Sequence, residues 1–274
     1  ALCRKHMIEL IQLFSRVYCC KVLGFSVMGN HYHLVVRMDE KCAIDKADLR
    51  KRASILYDAK ILDGWFEANW KRFEERVFDV SELMRNLQAS MARWFNYTFN
   101  RRGRFWADRF KGTVFDDPKE AMECLMYVEL NAVRASLVER PEDYDGCSLY
   151  YREIKKDAWL MSLSDLTGIE GRTQALRDFK ARVYYRGSVP TKENQRAIPK
   201  KILAEEEARG FEARGVFRKR IRHFVDGIAI GNREFIIAQI EKLREKGTYQ
   251  RRRNPIEQMG GVYLSLRAQR VEAS

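Results

Sequence analysis

The sequence predicts an α+β protein in which a β-hairpin near the N-terminus is followed mainly by helices. Residues 2–16 carry apolar side chains at the spacing of an amphipathic helix. Residues 17–38 are rich in β-branched and aromatic residues and contain the turn signal Gly29-Asn30. Beyond residue 39 helical patterns dominate. An early hairpin followed by a run of helices is typical of the α+β class.

The hairpin precedes a charged stretch that we interpret as a helical insertion. The two predicted strands are Val17–Met28 and Asn30–Met38. Residues 40–78 have a mixed, highly charged pattern for which we expect helices. The aromatic side chains expected to anchor this insertion are Trp65, Phe66 and Trp70.

Two helices carry clear start signals. Asp79 with Glu82 three residues later forms a capping-box pattern, which predicts a helix to about Phe99. Asp117 followed by Pro118 is a second start signal, which predicts a helix to about Leu137. Between these helices, residues 105–115 are predicted to be extended.

The C-terminal region has a linker and three predicted helices. One helix starts at about Arg172, and residues 186–200 form the best linker because they contain Gly187 and two prolines. Predicted helices at 201–225 and 233–246 flank a glycine-rich turn. They could form a helix-turn-helix with Arg233 entering a DNA groove, or a helical hairpin that only packs.

The formal net charge of +13 lies mostly in the C-terminal half. Residues 1–150 hold 24 Lys and Arg against 22 Asp and Glu, whereas residues 151–274 hold 27 against 16. Such an excess favours phosphate-rich partners because neutralised phosphates release counterions. Charge alone is equally compatible with an ordinary solvated surface.

Composition points to a cytosolic protein. No apolar run is as long as a membrane span, and no signal peptide is visible. The six cysteines lack C-x-x-C spacing and the density of a disulfide framework, so we expect reduced thiols that mostly fill the core.

His31-Tyr32-His33 is the strongest chemical signal in the chain, which has only four histidines. Residues i and i+2 of a strand project from the same face, about 6–7 Å apart along the chain. Two imidazoles on one face suit one metal ion, provided that further ligands come from elsewhere. Alone, an H-x-H pattern is more often a pair of half-buried polar residues.

The helix after Asp117 contains Tyr127 and, one turn later, Asn131. A tyrosine hydroxyl can attack phosphorus and form a phosphotyrosine ester. A divalent cation would stabilise the developing charge, and the oxygen of Asn131 could complete its ligand set with two imidazoles. Taken singly, Tyr127 is more simply interpreted as a packed core residue, and Asn131 as a polar residue near a helix end.

Three motifs together resemble the single-tyrosine HUH transposases, most closely the branch of the REP-associated tyrosine transposases. The motifs occur in the family's order within about residues 1–150. They are MGNHYHLVV at 28–36, GRFWADRFK at 103–111 and YVELNAVRA at 127–135.

The resemblance implies a ferredoxin-like antiparallel sheet with helices on one face, in a catalytic domain at residues 1–155. Residues 156–274 would be a basic, mainly helical extension. By position, His31, His33 and Asn131 are the ligands of Mg²⁺ or Mn²⁺, and Tyr127 is the nucleophile. The implied activity is cleavage and rejoining of single-stranded DNA near hairpins of REP type through a 5′-phosphotyrosine. The resemblance also implies that the protein is a nucleoid-associated monomer or homodimer.

The chain departs from the family pattern at three places. Family members usually have proline at the positions of Gly29 and Ala132, neither of which supplies chemistry. The family sheet usually opens with a strand before the first helix, and this chain begins about where that helix would. We expect either a preceding segment or a differently built sheet.

Basic side chains alternate with aromatic ones in the second motif and just before it. Phosphate contacts are predicted for the arginines of this stretch, since basic groups reach phosphates while aromatic faces stack on unpaired bases. These residues are Arg101, Arg102, Arg104 and Arg109. Two other functions remain open, a non-catalytic hairpin-DNA-binding protein of the same fold and a metal-dependent nuclease that uses water as its nucleophile.

Overall fold

The mixed α+β composition predicted from the sequence is confirmed in the computed structural model. The structure describes residues 1–190, 196–211, 227–245, 256–258 and 262–266. The chain divides into a first unit, Ala1–Arg109 with Arg140–Asp165, and a second unit, Phe110–Glu139 with Leu166–Ser274. The segment around Tyr127 thus groups with the C-terminal half, whereas the boundary predicted from the sequence lies near residue 155.

Short helices outnumber strands among the described elements. In chain order they are α1 (Leu2–Val17), β1 (Cys20–Val27), β2 (Tyr32–Met38), α2 (Lys46–Ala53), α3 (Ala59–Asp63), α4 (Glu67–Arg76), α5 (Val80–Thr98), β3 (Val114–Phe115), α6 (Pro118–Glu129), α7 (Asn131–Arg134), a 3₁₀ turn (Pro141–Asp143), α8 (Ser148–Glu153), α9 (Leu163–Thr167), α10 (Arg172–Ser188), α11 (Lys200–Ala208), β4 (Gly227–Gly231), α12 (Arg233–Glu245), β5 (Ile256–Gln258) and β6 (Val262–Leu266).

The first unit is built on α1 and the predicted hairpin. Met7, Ile11 and Phe14 recur on one face of α1 and are buried there, and this helix packs against β1 and α5. β1 and β2 pair antiparallel, so the hairpin prediction is confirmed. The first strand begins at Cys20 rather than Val17 because α1 continues through Val17.

The helices predicted for the insertion are present as α2, α3 and α4. The indole of Trp65 lies 4.7 Å from that of Trp70 and 5.6 Å from the ring of Phe73, measured between centroids. The prediction is wrong for Phe66, whose side chain is 80% exposed. Phe66 precedes the first turn of α4, where its main-chain N–H donates to Asn69 Oδ1, so it does not share the helix's inward face.

Both predicted helix starts are confirmed by their caps. Asp79 accepts a hydrogen bond from the main-chain nitrogen of Ser81 at 2.7 Å, and α5 follows it. Asp117 accepts from the main-chain nitrogen of Lys119 at 2.8 Å, with Pro118 as the first residue of α6. Each carboxylate satisfies a donor that the first helical turn leaves unpaired.

Residues 140–165 return to the first unit and extend the hairpin on β1. Cys147 forms an isolated antiparallel bridge with Ser26, and Leu160 forms an isolated parallel bridge with Val22. The β structure of the first unit is therefore a two-stranded sheet with single bridges on β1.

The helix predicted from Asp117 to about Leu137 is interrupted. α6 ends at Glu129 and α7 begins at Asn131, with Leu130 between them at φ −80° and ψ −2°. The amide nitrogen of Asn131 donates to the carbonyl oxygens of Tyr127 and Val128, at 3.3 and 3.2 Å. This side chain competes with the backbone for carbonyl acceptors, which accounts for the break.

The segment predicted to be a glycine-rich turn is strand β4, so the helix-turn-helix prediction is wrong for the described residues. β4 pairs in parallel with β3 and antiparallel with β6, and β5 completes the sheet on the far side of β6. Ile228, Ala229 and Ile230 are buried, as a short apolar run between glycines would be in a buried strand. Most of the predicted helix at 201–225 lies outside the described residues.

The helix predicted from Arg172 is confirmed as α10, which packs against α6 and α11. Part of the predicted linker is folded onto it, because the main-chain nitrogen of Ile198 donates to the carbonyl oxygen of Gly187 at 2.9 Å. A β-carbon at Gly187 would collide with the side chains of Ile198 and Leu130. Glycine is therefore required there for the close approach of these segments.

Candidate functional site

The hairpin brings the two predicted histidine ligands together. His31 is the last residue before β2, and its carbonyl oxygen accepts from the main-chain nitrogen of Met28 at 2.8 Å across the turn. His33 is the second residue of β2. Their imidazole centroids lie 5.2 Å apart, and the ring planes are inclined by 78°.

Asn30 fixes which nitrogen of His31 carries the proton. The Nδ1 atom of His31 lies 2.7 Å from Oδ1 of Asn30. An amide oxygen only accepts hydrogen bonds, so Nδ1 is the donor and Nε2 keeps its lone pair. Metal-binding histidines are commonly oriented through their second nitrogen in this way.

Both imidazoles are uncharged at neutral pH. Burial, and secondarily the neighbouring His31, lower the pKa of His33 to about 4. The pKa of His31 is also lowered, through partial loss of solvent around its ring. Neutral imidazole is the form that coordinates metals.

Tyr32 anchors the strand between the two histidines. Its ring packs edge-on against Trp106 with 5.5 Å between centroids. The indole nitrogen of Trp106 donates to the main-chain oxygen of Gln88 on α5 at 2.8 Å. Because neighbouring residues of a strand face opposite sides, this anchor leaves His31 and His33 to the other side of the hairpin.

The spacing of the two rings is compatible with a shared ion. Two imidazoles that bind one ion at about 2.1 Å have centroids about 4.5–5.3 Å apart, for angles between octahedral and tetrahedral. Within the described ranges, no group of three or more His, Cys, Asp or Glu side chains is suited to a metal. The predicted set contains two histidines and the amide of Asn131, and it stays a prediction.

The second unit positions the predicted nucleophile near the break between α6 and α7. Tyr127 is half-buried on the last turn of α6, and Asn131 is the first residue of α7. Since the amide nitrogen of Asn131 is engaged by the main chain, its Oδ1 is the atom available to a ligand. The structure therefore keeps these residues adjacent, although not on one continuous helix.

An arginine that the sequence analysis did not select lies beside Tyr127. The guanidinium carbon of Arg134 is 5.1 Å from the centroid of the Tyr127 ring. The pKa of Arg134 is lowered to about 10, mainly by burial, which Tyr127 opposes and Arg186 reinforces. Its spacing of seven residues from Tyr127 places both on one helical face, which was the available signal.

The arginines predicted to contact DNA are exposed at the end of α5 and in the irregular segment after it. These are Arg101, Arg102, Arg104 and Arg109. Arg101 lies over the ring of Phe95 at 5.7 Å. Tyr97, which the sequence analysis overlooked, is 90% exposed, whereas Phe105 and Trp106 are partly buried.

Arg233 is exposed at the first residue of α12 in the second unit. Asn232 precedes it, and its side-chain oxygen accepts from the main-chain nitrogen of Phe235 at 2.8 Å. The same residue contacts Asp116, which accepts from both nitrogens of Asn232 at 2.9 Å. Arg233 is therefore the first residue of a helix that packs on a sheet. The predicted helix-turn-helix would instead have placed it on a recognition helix that follows a turn.

The predicted catalytic set draws on both units. His31 and His33 belong to the first, and Tyr127 and Asn131 belong to the second. Within each unit the structure brings the predicted residues together. A single site composed of all four residues is a proposal.

Comparison of the chain with protein families, with curated proteins and with solved structures finds no match. In the part of the chain that the structure describes, no helix is both long and apolar enough to cross a membrane.

Proposed function

We propose that this chain is a metal-dependent single-stranded DNA transposase or endonuclease that cleaves and rejoins DNA through a 5′-phosphotyrosine on Tyr127. The pair of neutral imidazoles, His31 and His33, with centroids 5.2 Å apart, carries this proposal. We assign β1 and β2 to a ferredoxin-like sheet of the HUH type. The substrate is single-stranded or hairpin DNA, and the enzyme acts in the cytoplasm as a monomer or homodimer.

In the proposed reaction the Oη atom of Tyr127 attacks the scissile phosphorus. The Oη–P bond forms, the P–O3′ bond breaks, and O3′ leaves with the bonding electron pair and takes a proton from solvent. The phenol proton is released to solvent. The ester stores the energy of the broken phosphodiester, so a 3′-hydroxyl can later reverse the step and rejoin DNA.

His31, His33 and Asn131 would hold Mg²⁺ or Mn²⁺, which when bound polarises the phosphate oxygens. The two histidines contribute neutral ring nitrogens, and Asn131 contributes an amide oxygen. The amide oxygen and water are ligands that suit these ions. Asn30 orients His31, and the packing of Tyr32 on Trp106 holds the strand.

The DNA strand would contact the exposed end of α5. Arg101, Arg102 and Arg104 are exposed there and supply positive charge for phosphates. The phenol ring of Tyr97 is 90% exposed and can stack on an unpaired base. Charge combined with an exposed aromatic face is typical of single-strand binding surfaces.

A covalent-adduct assay tests the proposal. A pool of single-stranded oligonucleotides of random sequence, labelled at the 5′ or the 3′ end, is incubated with the protein and Mn²⁺ and run on a denaturing gel. A 5′-phosphotyrosine joins the protein to the downstream fragment, so only the 3′ label should migrate with the protein. Tyr127→Phe should abolish the adduct.

Tyr150→Phe is the matched control, since it removes a hydroxyl from a half-buried tyrosine of the first unit. It should form the adduct at the wild-type rate. Cleavage without an adduct would indicate a nuclease that uses water. Binding without cleavage would indicate a hairpin-DNA-binding protein.

A further inference from the structure

The guanidinium of Arg134 is largely shielded from solvent beside Tyr127. Both of its terminal nitrogens, Nη1 and Nη2, are shielded from solvent and have no hydrogen-bond partner there. The group lies over the ring of Tyr127, with its central carbon 5.1 Å from the ring centroid. A guanidinium has five donors and a permanent charge, so this arrangement leaves most of its binding capacity unused.

Among the described residues, no carboxylate forms a salt bridge with Arg134. Arg186 on α10 is a neighbouring cation that disfavours its charged form. Arg186 has its own carboxylate, Glu123, at 3.9 Å. The tyrosine ring offers a cation–π contact, which stabilises a cation less than a paired anion does. Unpaired charges are expensive to bury, so such a site favours an anionic ligand.

We propose that Arg134 binds a non-bridging oxygen of the phosphate that Tyr127 attacks, an inference that rests on the function proposed above. The nucleophilic hydroxyl is attached to the ring beneath the guanidinium. A phosphorus atom bonded to that hydroxyl therefore comes within reach of the Arg134 side chain. Guanidinium matches phosphate because two of its N–H groups can donate in parallel.

In this assignment Arg134 keeps its proton throughout. As the Oη–P bond forms and the P–O3′ bond breaks, negative charge increases on the non-bridging oxygens. The N–H donors of Arg134 compensate that charge in a place that excludes water, where such donors act most strongly. The same contacts hold the phosphotyrosine until a 3′-hydroxyl attacks it.

A structural role would have different consequences. If Arg134 only fixed the Tyr127 ring by the cation–π contact, its loss would affect every substrate equally. A phosphate contact predicts instead that the effect depends on the charge of the scissile phosphate. Replacing one non-bridging oxygen by a methyl group removes that charge, so a methylphosphonate oligonucleotide separates the two roles.

The experiment uses the full chain and an oligonucleotide recovered from the adduct of the wild-type protein. The rate of adduct formation is measured for Arg134→Ala, Arg134→Lys and wild type. We expect Arg134→Ala to lose about 100-fold or more, as for other donors to a developing oxyanion. Arg134→Lys should lose less, because an ammonium keeps the charge but not the paired donors.

Affinity in the Tyr127→Phe background gives a readout independent of turnover. Arg134→Ala should weaken binding of the phosphodiester oligonucleotide by about tenfold, the effect of one lost charge-assisted contact. It should leave binding of the methylphosphonate oligonucleotide unchanged. Arg172→Ala, which removes an exposed arginine on α10, is the matched control and should not distinguish the two oligonucleotides.

The outcomes of these measurements distinguish failure of the proposed function from failure of the proposed phosphate contact. Absence of a wild-type adduct refutes the proposed function. An adduct that forms at an unchanged rate in Arg134→Ala overturns the phosphate contact, as does an equal loss of affinity for both oligonucleotides. If circular dichroism shows that Arg134→Ala is unfolded, Arg134→Gln, a neutral side chain of similar length, replaces it in both measurements.

Discussion

The imidazoles of His31 and His33 meet edge to face, with 5.2 Å between their centroids. The contact is produced locally, because a tight turn at Gly29 and Asn30 places His31 immediately before β2 and His33 within it. In the function proposed above, these two neutral rings would supply two of the metal ligands.

Replacing either histidine by alanine should sharply weaken binding of Mn²⁺. We expect His31→Ala and His33→Ala each to lose about 100-fold or more in affinity, since a lost ligand costs more than the 10–100-fold typical of a lost outer partner. Isothermal titration calorimetry measures this directly. His6→Ala is the control, because His6 stacks on Trp94 at 4.0 Å and is assigned no ligand role. Unchanged Mn²⁺ affinity in both hairpin variants would rule out the metal assignment.

Asn30→Ala should weaken Mn²⁺ binding without removing a ligand. The 2.7 Å contact to Nδ1 of His31 would be lost, and the ring would be free to rotate and change its tautomer. Such outer partners contribute about 10–100-fold to metal affinity. Gly29→Ala is a close control, because a β-carbon there meets nothing within 4 Å. The same titration should show it close to wild type; equal losses in both variants would mean that turn geometry matters, and not the amide.

Arg152→Met should destabilise the first unit without touching the proposed site. The Arg152 side chain is 1% exposed and donates to the carbonyl oxygens of Leu23 and Met161, at 2.8 and 3.1 Å. Removing the donor leaves buried carbonyls and Asp157 without this cation, which should lower the free energy of unfolding by about 3–5 kcal/mol.

Tryptophan fluorescence during urea unfolding reports on this unit, because all five tryptophans lie in it. Arg16→Met, at an exposed position of α1, is the matched control and should change the unfolding free energy by no more than about 0.5 kcal/mol. Similar unfolding midpoints for the two variants would show that the buried arginine is dispensable.

Local signals predicted the parts of the fold that local chemistry determines. Asp79 and Asp117 cap helices where the sequence indicated, and the turn at Gly29 and Asn30 joins two strands. The apolar pattern of α1 likewise identified its buried face. In each case a hydrogen bond or a repeat within a few residues decides the structure.

Features that depend on residues distant along the chain were not predicted from the sequence. β4 resembled a turn because glycines flank it, yet its pairing partners β3 and β6 are remote along the chain. The helix is interrupted at Leu130, where the side chain of Asn131 donates hydrogen bonds to carbonyl oxygens of the preceding turn. The helical periodicity of the sequence gives no sign of this interruption. The terminal nitrogens of Arg134 lack hydrogen-bond partners among the described residues because of the packing around them, which no local sequence pattern indicates.

The grouping of residues decides how the role of the basic C-terminal half can be tested. Residues 110–139 and the C-terminal half belong to one unit, joined by the pairing of β3 with β4 and the packing of α6 on α10. Deleting the chain from about residue 190 would remove β4 and leave the edge of β3 that pairs with it without a partner strand. Such a truncation would perturb the unit that carries Tyr127, so point variants test DNA binding more cleanly.

Tyr97→Ala and Arg101→Ala should weaken binding of single-stranded DNA in two distinguishable ways. Tyr97 is 90% exposed and would stack on a base, so its loss should reduce affinity for a fluorescent oligothymidylate by about 5–100-fold at constant salt dependence. Arg101 is also exposed and would neutralise a phosphate. Its loss should lower the slope of log affinity against log salt by about 0.7.

Phe66→Ala is the control for the aromatic side chain, because Phe66 is 80% exposed at the start of α4 without an arginine cluster beside it. Fluorescence anisotropy across a salt series should show it unchanged in both affinity and slope. Stacking releases no counterions, whereas a phosphate contact releases them, so Tyr97 and Arg101 must differ in slope if the tip of α5 binds DNA as proposed. Equal affinities for Tyr97→Ala, Arg101→Ala and wild type would exclude this surface, and the DNA strand would then have to follow another basic face of the protein.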